Sequence, residues 1–132
     1  MLFRSGLVTY IRTDSTRIAD EALDAVRKLI LESWGEDYLP EKPNVYKTRK
    51  SAQDAHEAIR PTVVERRPES IKASLSRDQY RLYKLIYDRF VSSQMTPALY
   101  DTLAVDIDAD TGARFHFNGQ KQRFAGFTAV YV

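Results

Sequence analysis

The sequence predicts an α+β fold, in which a mostly helical domain is followed by antiparallel strands of a second, incomplete β-rich domain. Apolar residues recur at helical spacing in two long segments before residue 96. After residue 100 the pattern changes to the alternation of a strand. The composition, 43% hydrophobic and 29% charged, is that of a globular protein. We therefore place a helical, tyrosine-bearing domain at 1–96 and part of a β-rich domain at 97–132.

The first third of the chain predicts an extended segment, a helix and a loop. Residues 7–11 are mostly β-branched or aromatic and favour a strand or extended segment. Polar residues at 12–16 are of the kind that cap helices. A helix from about Ala19 to Trp34 has its acidic side chains in the first turns, where the helix dipole favours them, and Gly35 is expected to end it. Residues 36–50 are expected to form a loop.

The middle of the chain contains the clearest helix signal. A short helical turn is expected at 54–59, before Pro61, and irregular structure at 62–75. A long helix is predicted from Ser76 to about Met95, because residues 76–79 match the capping box. Its apolar stripe consists of Tyr80, Tyr83, Ile86, Tyr87, Phe90 and Val91.

The last third predicts antiparallel strands. Alternation over 102–108 indicates a half-buried strand, 110–112 a turn and 114–117 a second strand. Asn118-Gly119 is a hairpin signal. Residues 127–132 also resemble a strand, and with the apolar stretch at the start of the chain they predict a piece of a longer protein.

Composition excludes several classes of site and location. The 20 basic and 18 acidic side chains are too balanced to imply nucleic acid by themselves. The absence of cysteine excludes disulfides, thiol nucleophiles and Cys-ligated metals. No apolar run approaches the roughly 20 residues that span a bilayer, and the start does not resemble a secretory signal. We therefore expect no membrane contact and a cytoplasmic protein.

Tyr10 and Arg12 are candidates for chemistry on phosphate. Residues two apart in an extended segment face the same side. A phenol is a weak nucleophile at neutral pH, but a neighbouring guanidinium favours the phenolate and holds a phosphate bidentately. The pair therefore suits attack on a phosphodiester. Tyrosines in strands are also common packing residues, and the residues alone leave both interpretations open.

A second candidate segment surrounds His56, which is flanked by Asp54 and Glu57 and followed by Arg60. A histidine can donate to a phosphate or relay a proton, although a solvated surface turn has the same composition. No carboxylates have the spacing of a metal site, so no metal-binding residues are predicted. Basic residues, with Tyr46 among them, suit single-stranded nucleic acid or a solvated surface. They are Lys47, Arg49, Lys50, Arg60, Arg66 and Arg67.

Two of these segments resemble a known family. Residues 6–17, GLVTYIRTDSTR, resemble the active-site tyrosine motif of bacterial type IA DNA topoisomerase I, and residues 53–62, QDAHEAIRPT, resemble its second signature. The resemblance extends more loosely over the rest of the chain. It implies an isomerase that cleaves one DNA strand through a 5′-phosphotyrosine link and religates it, relaxing negative supercoils without ATP.

The resemblance also implies roles for individual residues. Tyr10 is the expected nucleophile, Arg12 positions the scissile phosphate and His56 contacts the cleaved strand. The residues expected to contact single-stranded DNA are Thr13, Asp14, Gln53 and Arg60. In this family Mg²⁺ is bound by an acidic domain that this sequence does not contain, so we expect these residues alone to be inactive and to work with the remaining domains of the enzyme.

Other interpretations remain at this stage. A non-catalytic nucleic-acid-binding module is the main alternative, and a recombinase-like tyrosine enzyme is less suitable because its tyrosine follows its Arg and His residues. A third is a helical interaction module that docks through the apolar stripe between Tyr80 and Val91. Unpaired strands near the end of the chain also allow a dimer.

Overall fold

The computed structural model describes residues 6–47 and 56–132. Within them lie α1 (Asp20–Trp34), α2 (Pro68–Ile71), α3 (Arg77–Ser93), β1 (Leu99–Asp108) and β2 (Arg114–Phe124). Short 3₁₀ turns occupy Glu36–Tyr38, Lys72–Ser74 and Gly126–Ala129. The order, helices first and an antiparallel pair of strands after, is the predicted α+β arrangement. No helix in the described ranges is both long and apolar enough to cross a membrane.

The two long helices begin and end where local signals place them. The hydroxyl of Ser76 accepts from the Gln79 amide, and the Gln79 side chain accepts from the Ser76 amide, so the predicted capping box starts α3. Gly35 follows α1 with φ +96°, a left-handed conformation that only glycine adopts without strain, and its amide closes on the last helical turn.

The core lies between α1, α3 and the chain segments that cross them. It contains Leu7, Val8, Val26, Leu29, Ile30, Val64, Tyr83, Tyr87, Phe90, Val91 and Met95. The hydroxyl of Tyr83 donates to the Arg66 carbonyl at 2.6 Å, and that of Tyr87 to the Val64 carbonyl at 2.8 Å. Because four members of the α3 stripe are buried here, the stripe belongs to the core, which argues against the alternative of a docking face formed by it.

Strands β1 and β2 form a two-stranded hairpin. Val105 pairs with Phe117 and Ile107 with Phe115, and the turn lies at 109–113. Asn118-Gly119 does not form the turn; it continues β2 opposite Leu103 and Ala104. The earlier turn fixes the register, and the ring of Phe117 lies over Gly119.

The predicted half-buried strand is also wrong. Apolar side chains occupy one face of the hairpin and the Asp106–His116 and Asp108–Arg114 pairs occupy the other. Nearly every residue of both strands is nevertheless exposed, including those of the apolar face. Strand alternation predicts which side chains share a face, but not whether that face is covered.

Three further segments differ from their predicted state. Residues 56–59 of the helical turn predicted at 54–59 are not helical, because the chain there hydrogen-bonds to Thr9 and Arg17; residues 54 and 55 lie outside the described residues. Residues 68–74 are helical rather than irregular, with Pro68 in the first turn of α2. Residues 126–129 form a 3₁₀ turn instead of a strand, because Gly126, with φ +52°, turns the chain beneath Pro97.

The hairpin is joined to the helical part at its base. The amide of Phe127 donates to the Thr96 carbonyl at 2.9 Å, and the rings of Tyr38 and Phe124 lie 4.7 Å apart. The change from helix to hairpin therefore falls between Ser93 and Leu99. The division into domains at residue 96 stays a prediction.

Candidate active site

Two segments about 50 residues apart lie side by side and form the base of the site. Val8 and Pro61 make an isolated antiparallel bridge, and the amide of Thr9 donates to the Arg60 carbonyl at 2.9 Å. The amide of Thr62 donates to the Leu7 carbonyl at 3.0 Å. The extended segment predicted at residues 7–11 is present, and this pairing brings the tyrosine motif next to the histidine motif.

The side chain of Thr9 reinforces the pairing. Its hydroxyl donates to the Ala58 carbonyl at 3.2 Å and accepts from the Arg60 amide at 3.1 Å. Tyr10, the residue that follows, is 66% exposed, so it is not a packing residue of the core.

Arg12 joins the two segments through its guanidinium. Its Nε donates to Oδ1 of Asp14 at 2.8 Å, and its Nη1 lies 2.9 Å from Nε2 of His56. A guanidinium only donates, so this hydrogen bond requires an unprotonated Nε2 and hence a neutral imidazole that carries its proton on Nδ1. The structure therefore brings together Arg12 and His56, two of the three predicted catalytic residues.

Electrostatic interactions link this group to Tyr10. The hydrogen bond from Arg12 is the main reason that the pKa of Asp14 is lowered, and the charge of Arg12 acts in the same direction. The hydrogen bond to Asp14 in turn raises the pKa of Arg12, and the charge of Tyr10 adds to that effect. Tyr10 and Arg12 are thus close enough to interact, as their two-residue spacing predicts.

Ser15 holds the histidine segment from the other side. Its buried hydroxyl donates to the His56 carbonyl at 2.7 Å, and the amide of Ala58 donates to the Arg17 carbonyl at 2.8 Å. The polar residues at 12–16 therefore position the His56 segment and do not cap α1, whose N-cap, Ala19, makes no side-chain cap bond. The prediction of a helix-capping role was wrong.

Comparison with known proteins identifies the family. A family model described as DNA topoisomerase matches residues 1–132. The chain belongs to the DNA topoisomerase family. A solved structure of full-length topoisomerase I from Thermotoga maritima is 39% identical, with a TM-score of 0.80, over 95% of this chain and 19% of that one. The chain spans about a fifth of that relative's length, and the two matches confirm the resemblance predicted from the motifs.

The remaining predicted DNA-binding residues differ in their surroundings. Thr13 is exposed. The side chain of Arg60 is only 14% exposed, and its Nε donates to Glu57 at 2.8 Å while its Nη1 donates to the Pro61 carbonyl at 3.1 Å. Gln53 lies outside the described residues, as do Arg49 and Lys50 of the basic cluster.

Sequence reasoning missed a second anchor beside the site. Asn44 and Gln94 are joined by two hydrogen bonds: Oε1 of Gln94 accepts from the Asn44 amide at 3.1 Å, and Nε2 donates to the Asn44 carbonyl at 3.2 Å. Gln94 is fully buried, and its side-chain amide pairs with the backbone of the loop at Asn44 as a neighbouring strand would. The two residues are 50 positions apart and have no local signal, and no pattern in the sequence predicts their pairing.

The described residues do not fit a magnesium site. Among them, no group of three or more His, Asp or Glu side chains is arranged to hold a metal ion. The nearest carboxylate to the Arg12–His56 pair, Asp14, is held by the Arg12 guanidinium. No step of the chemistry is therefore assigned to a metal bound by this chain.

Proposed function

We propose that this chain carries the strand-cleaving tyrosine of a type IA DNA topoisomerase, with Tyr10 as the nucleophile. The observation that carries the proposal is an exposed phenol beside a guanidinium that is itself joined to a histidine from a distant segment. In this interpretation the whole enzyme acts on single-stranded DNA and relaxes negative supercoils.

The proposed reaction exchanges one phosphodiester for another. Oη of Tyr10 attacks the phosphorus, the bond to the 3′ oxygen breaks, and a phosphotyrosine link to the 5′ phosphate forms. The proton lost by the phenol is balanced by the proton gained at the 3′ hydroxyl. Because the phosphodiester energy is kept in the phosphotyrosine, the 3′ hydroxyl reverses the step without ATP.

Arg12 and His56 are proposed to hold the scissile phosphate. A guanidinium that is fixed by Asp14 needs little reorganisation when charge develops on the phosphoryl oxygens. Ser15 and Arg12 hold His56 next to this guanidinium. Thr13, Asp14, Gln53 and Arg60 remain proposed DNA contacts, and for the largely buried Arg60 the contact requires its bond to Glu57 to be exchanged or shared.

Magnesium is proposed to bind elsewhere in the enzyme, in an acidic domain. The cation would assist binding and positioning of the DNA, and the residues described here supply the nucleophile and the phosphate contacts. The chain by itself is accordingly proposed to be inactive.

The test is covalent capture of DNA. Residues 1–132 are joined to an acidic, magnesium-binding domain of the family, mixed with single-stranded oligonucleotide and Mg²⁺, and stopped with detergent. A 3′-end label is expected to migrate with the protein and a 5′-end label with free DNA, since the tyrosine holds the 5′ phosphate. Tyr10→Phe is expected to abolish the adduct.

Tyr100→Phe is the matched control, because Tyr100 is also an exposed tyrosine but lies on the hairpin. It should leave the adduct unchanged. An adduct that persists in Tyr10→Phe removes Tyr10 from the mechanism. DNA binding without an adduct in any variant favours the alternative, a non-catalytic nucleic-acid-binding module.

A further inference from the structure

The loop that leads toward the His56 segment presents an aromatic ring that strand cleavage does not use. Tyr46 is 49% exposed, and its neighbour Val45 is 90% exposed. Large side chains with this exposure lose the stabilisation that burial provides. Tyr46 is therefore accessible to a ligand from solvent.

The ring is held in place from three sides. The hydroxyl of Tyr46 donates to the Ser93 carbonyl at 2.6 Å, and its backbone carbonyl accepts from Oγ1 of Thr16 at 3.0 Å. Two residues earlier, Asn44 is paired with the buried Gln94 and donates to carbonyls at the end of α3. An aromatic face fixed in this way loses little entropy when a ligand stacks on it.

The surroundings of the ring suit a nucleobase. The stretch 42–47 begins with Lys42, ends with Lys47 and contains no acidic residue. The hydroxyl of Thr16, four positions after Arg12, donates to the backbone carbonyl of Tyr46, so the loop that carries the ring is tied to the tyrosine motif at residues 6–17. An aromatic side chain among cations is the usual arrangement for binding single-stranded nucleic acid, because every base has a π-face and every nucleotide a phosphate.

We propose that Tyr46 is a stacking platform for one unpaired base of the DNA strand that is bound beside Tyr10, with Lys47 near the adjoining phosphate. This inference rests on the proposed function, since it concerns the same strand. Tyr46 does not take part in the transfer of the phosphoryl group; it fixes the register of the strand relative to Tyr10.

The test scans an oligonucleotide with abasic sites. Binding of a fluorescein-labelled single strand to the chain of residues 1–132 is followed by anisotropy, with one base removed at each position in turn. In the wild type, one position is expected to weaken binding about 5- to 150-fold, the range for loss of one base–aromatic stack. In Tyr46→Leu that position should no longer matter, and the intact strand should bind as weakly as the abasic one.

Two further variants separate stacking from anchoring of the loop. Tyr46→Phe keeps the ring and loses the hydrogen bond to Ser93, so it should retain the abasic response. Tyr100→Leu removes an equally exposed ring from the hairpin and should leave binding unchanged. If Tyr46→Phe loses the response as fully as Tyr46→Leu, anchoring and not stacking is responsible, and the inference is overturned.

The outcome is also separable from the test of strand cleavage. A covalent adduct at Tyr10 together with a flat abasic scan overturns the stacking platform alone. A position-dependent scan that Tyr46→Leu abolishes, without any adduct, overturns strand cleavage and leaves the platform. A wild-type chain that does not bind single strands at all overturns the platform, whatever the adduct assay shows.

Discussion

Alkaline pH is expected to destabilise the chain through Tyr87, which anchors the segment that follows the candidate site. Tyr87 is 5% exposed, and its hydroxyl donates to the Val64 carbonyl at 2.8 Å. Burial raises the pKa of Tyr87 from 10.0 to about 12, because the charged tyrosinate is poorly solvated in the core. A tyrosinate also cannot donate to that carbonyl, so ionisation removes the hydrogen bond as well as placing a charge in the core.

The direction and size of the effect follow from the difference between the pKa of Tyr87 in the folded chain and its pKa in the unfolded chain. Below pH 10 the phenol is protonated in both the folded and the unfolded chain, and its full contribution is present. As the pH rises from 10 through 12, the unfolded chain loses the proton first and the contribution is lost. With a folded pKa of about 12, the loss in unfolding free energy is about 1.4 kcal/mol at pH 11 and about 3 kcal/mol well above pH 12.

Urea unfolding at pH 8 and pH 11, followed by the fluorescence of the single tryptophan, Trp34, measures this loss. Tyr87→Phe is the comparison: it should be less stable than the wild type at pH 8, because the Val64 carbonyl loses its donor. It should also lose less stability between the two pH values. Burial raises the pKa of Tyr83 in the same direction, so some loss remains in the variant. Equal losses in the two proteins would refute the reasoning.

Three other predictions concern the site, the base of the hairpin and activity. Thr9→Val removes both side-chain hydrogen bonds to the 58–60 segment and is expected to lower the free energy of unfolding, measured in urea, by about 1–3 kcal/mol. Thr9→Ser keeps the hydroxyl and should be nearly as stable as the wild type. Equal stability of the two variants would contradict this prediction. Gly126→Ala places a Cβ against the Pro97 carbonyl oxygen, closer than any van der Waals contact, and should lower the thermal midpoint. The shift should exceed that of Gly112→Ala, which carries positive-φ strain but meets no atom within 4 Å, and an equal or smaller shift would contradict this. The chain alone, with Mg²⁺, is expected to leave negatively supercoiled plasmid unrelaxed on an agarose gel, and measurable relaxation would refute the proposed need for a further domain.

The helices show how far local signals reach. The capping box at 76–79 and Gly35 each act within one helical turn, so the sequence carries them completely and the boundaries of α1 and α3 were predicted closely. The apolar stripe on α3 was also predicted, but the surface that it packs against was not. The same helical spacing of apolar residues is found in a docking face and in a core. Tyr83 and Tyr87 are buried against the 64–66 segment, so the stripe is part of the core.

The strands show where local signals fail. Asn118-Gly119 is a common hairpin-turn sequence, yet the turn lies at 109–113, and the register it sets leaves Gly119 inside β2. The apolar run 127–132 has strand-like composition, but the close approach of Gly126 to Pro97 bends it into a 3₁₀ turn. In both cases a neighbouring segment overrides the local preference.

The candidate site divides in the same way. Tyr10, Arg12 and His56 were named from two motifs, and the two-residue spacing of Tyr10 and Arg12 is a local property of extended chain. The bond between Arg12 and His56 joins residues 44 positions apart, and the Asn44–Gln94 pair spans 50. The geometry of these two pairs depends on how α1, α3 and the crossing segments pack. No short sequence pattern predicts that packing.

The sequence by itself determined the family, the ends of the long helices and the residue types that suit phosphate chemistry, because these depend on neighbours within a few positions. Only the tertiary structure decided that the Tyr10 side chain is exposed, that the contact between Arg12 and His56 calls for a neutral imidazole, and that Tyr46 is anchored to Ser93. The physical reason is that these features are set by hydrogen bonds and packing between distant segments, whose meeting depends on the free energy of the whole fold.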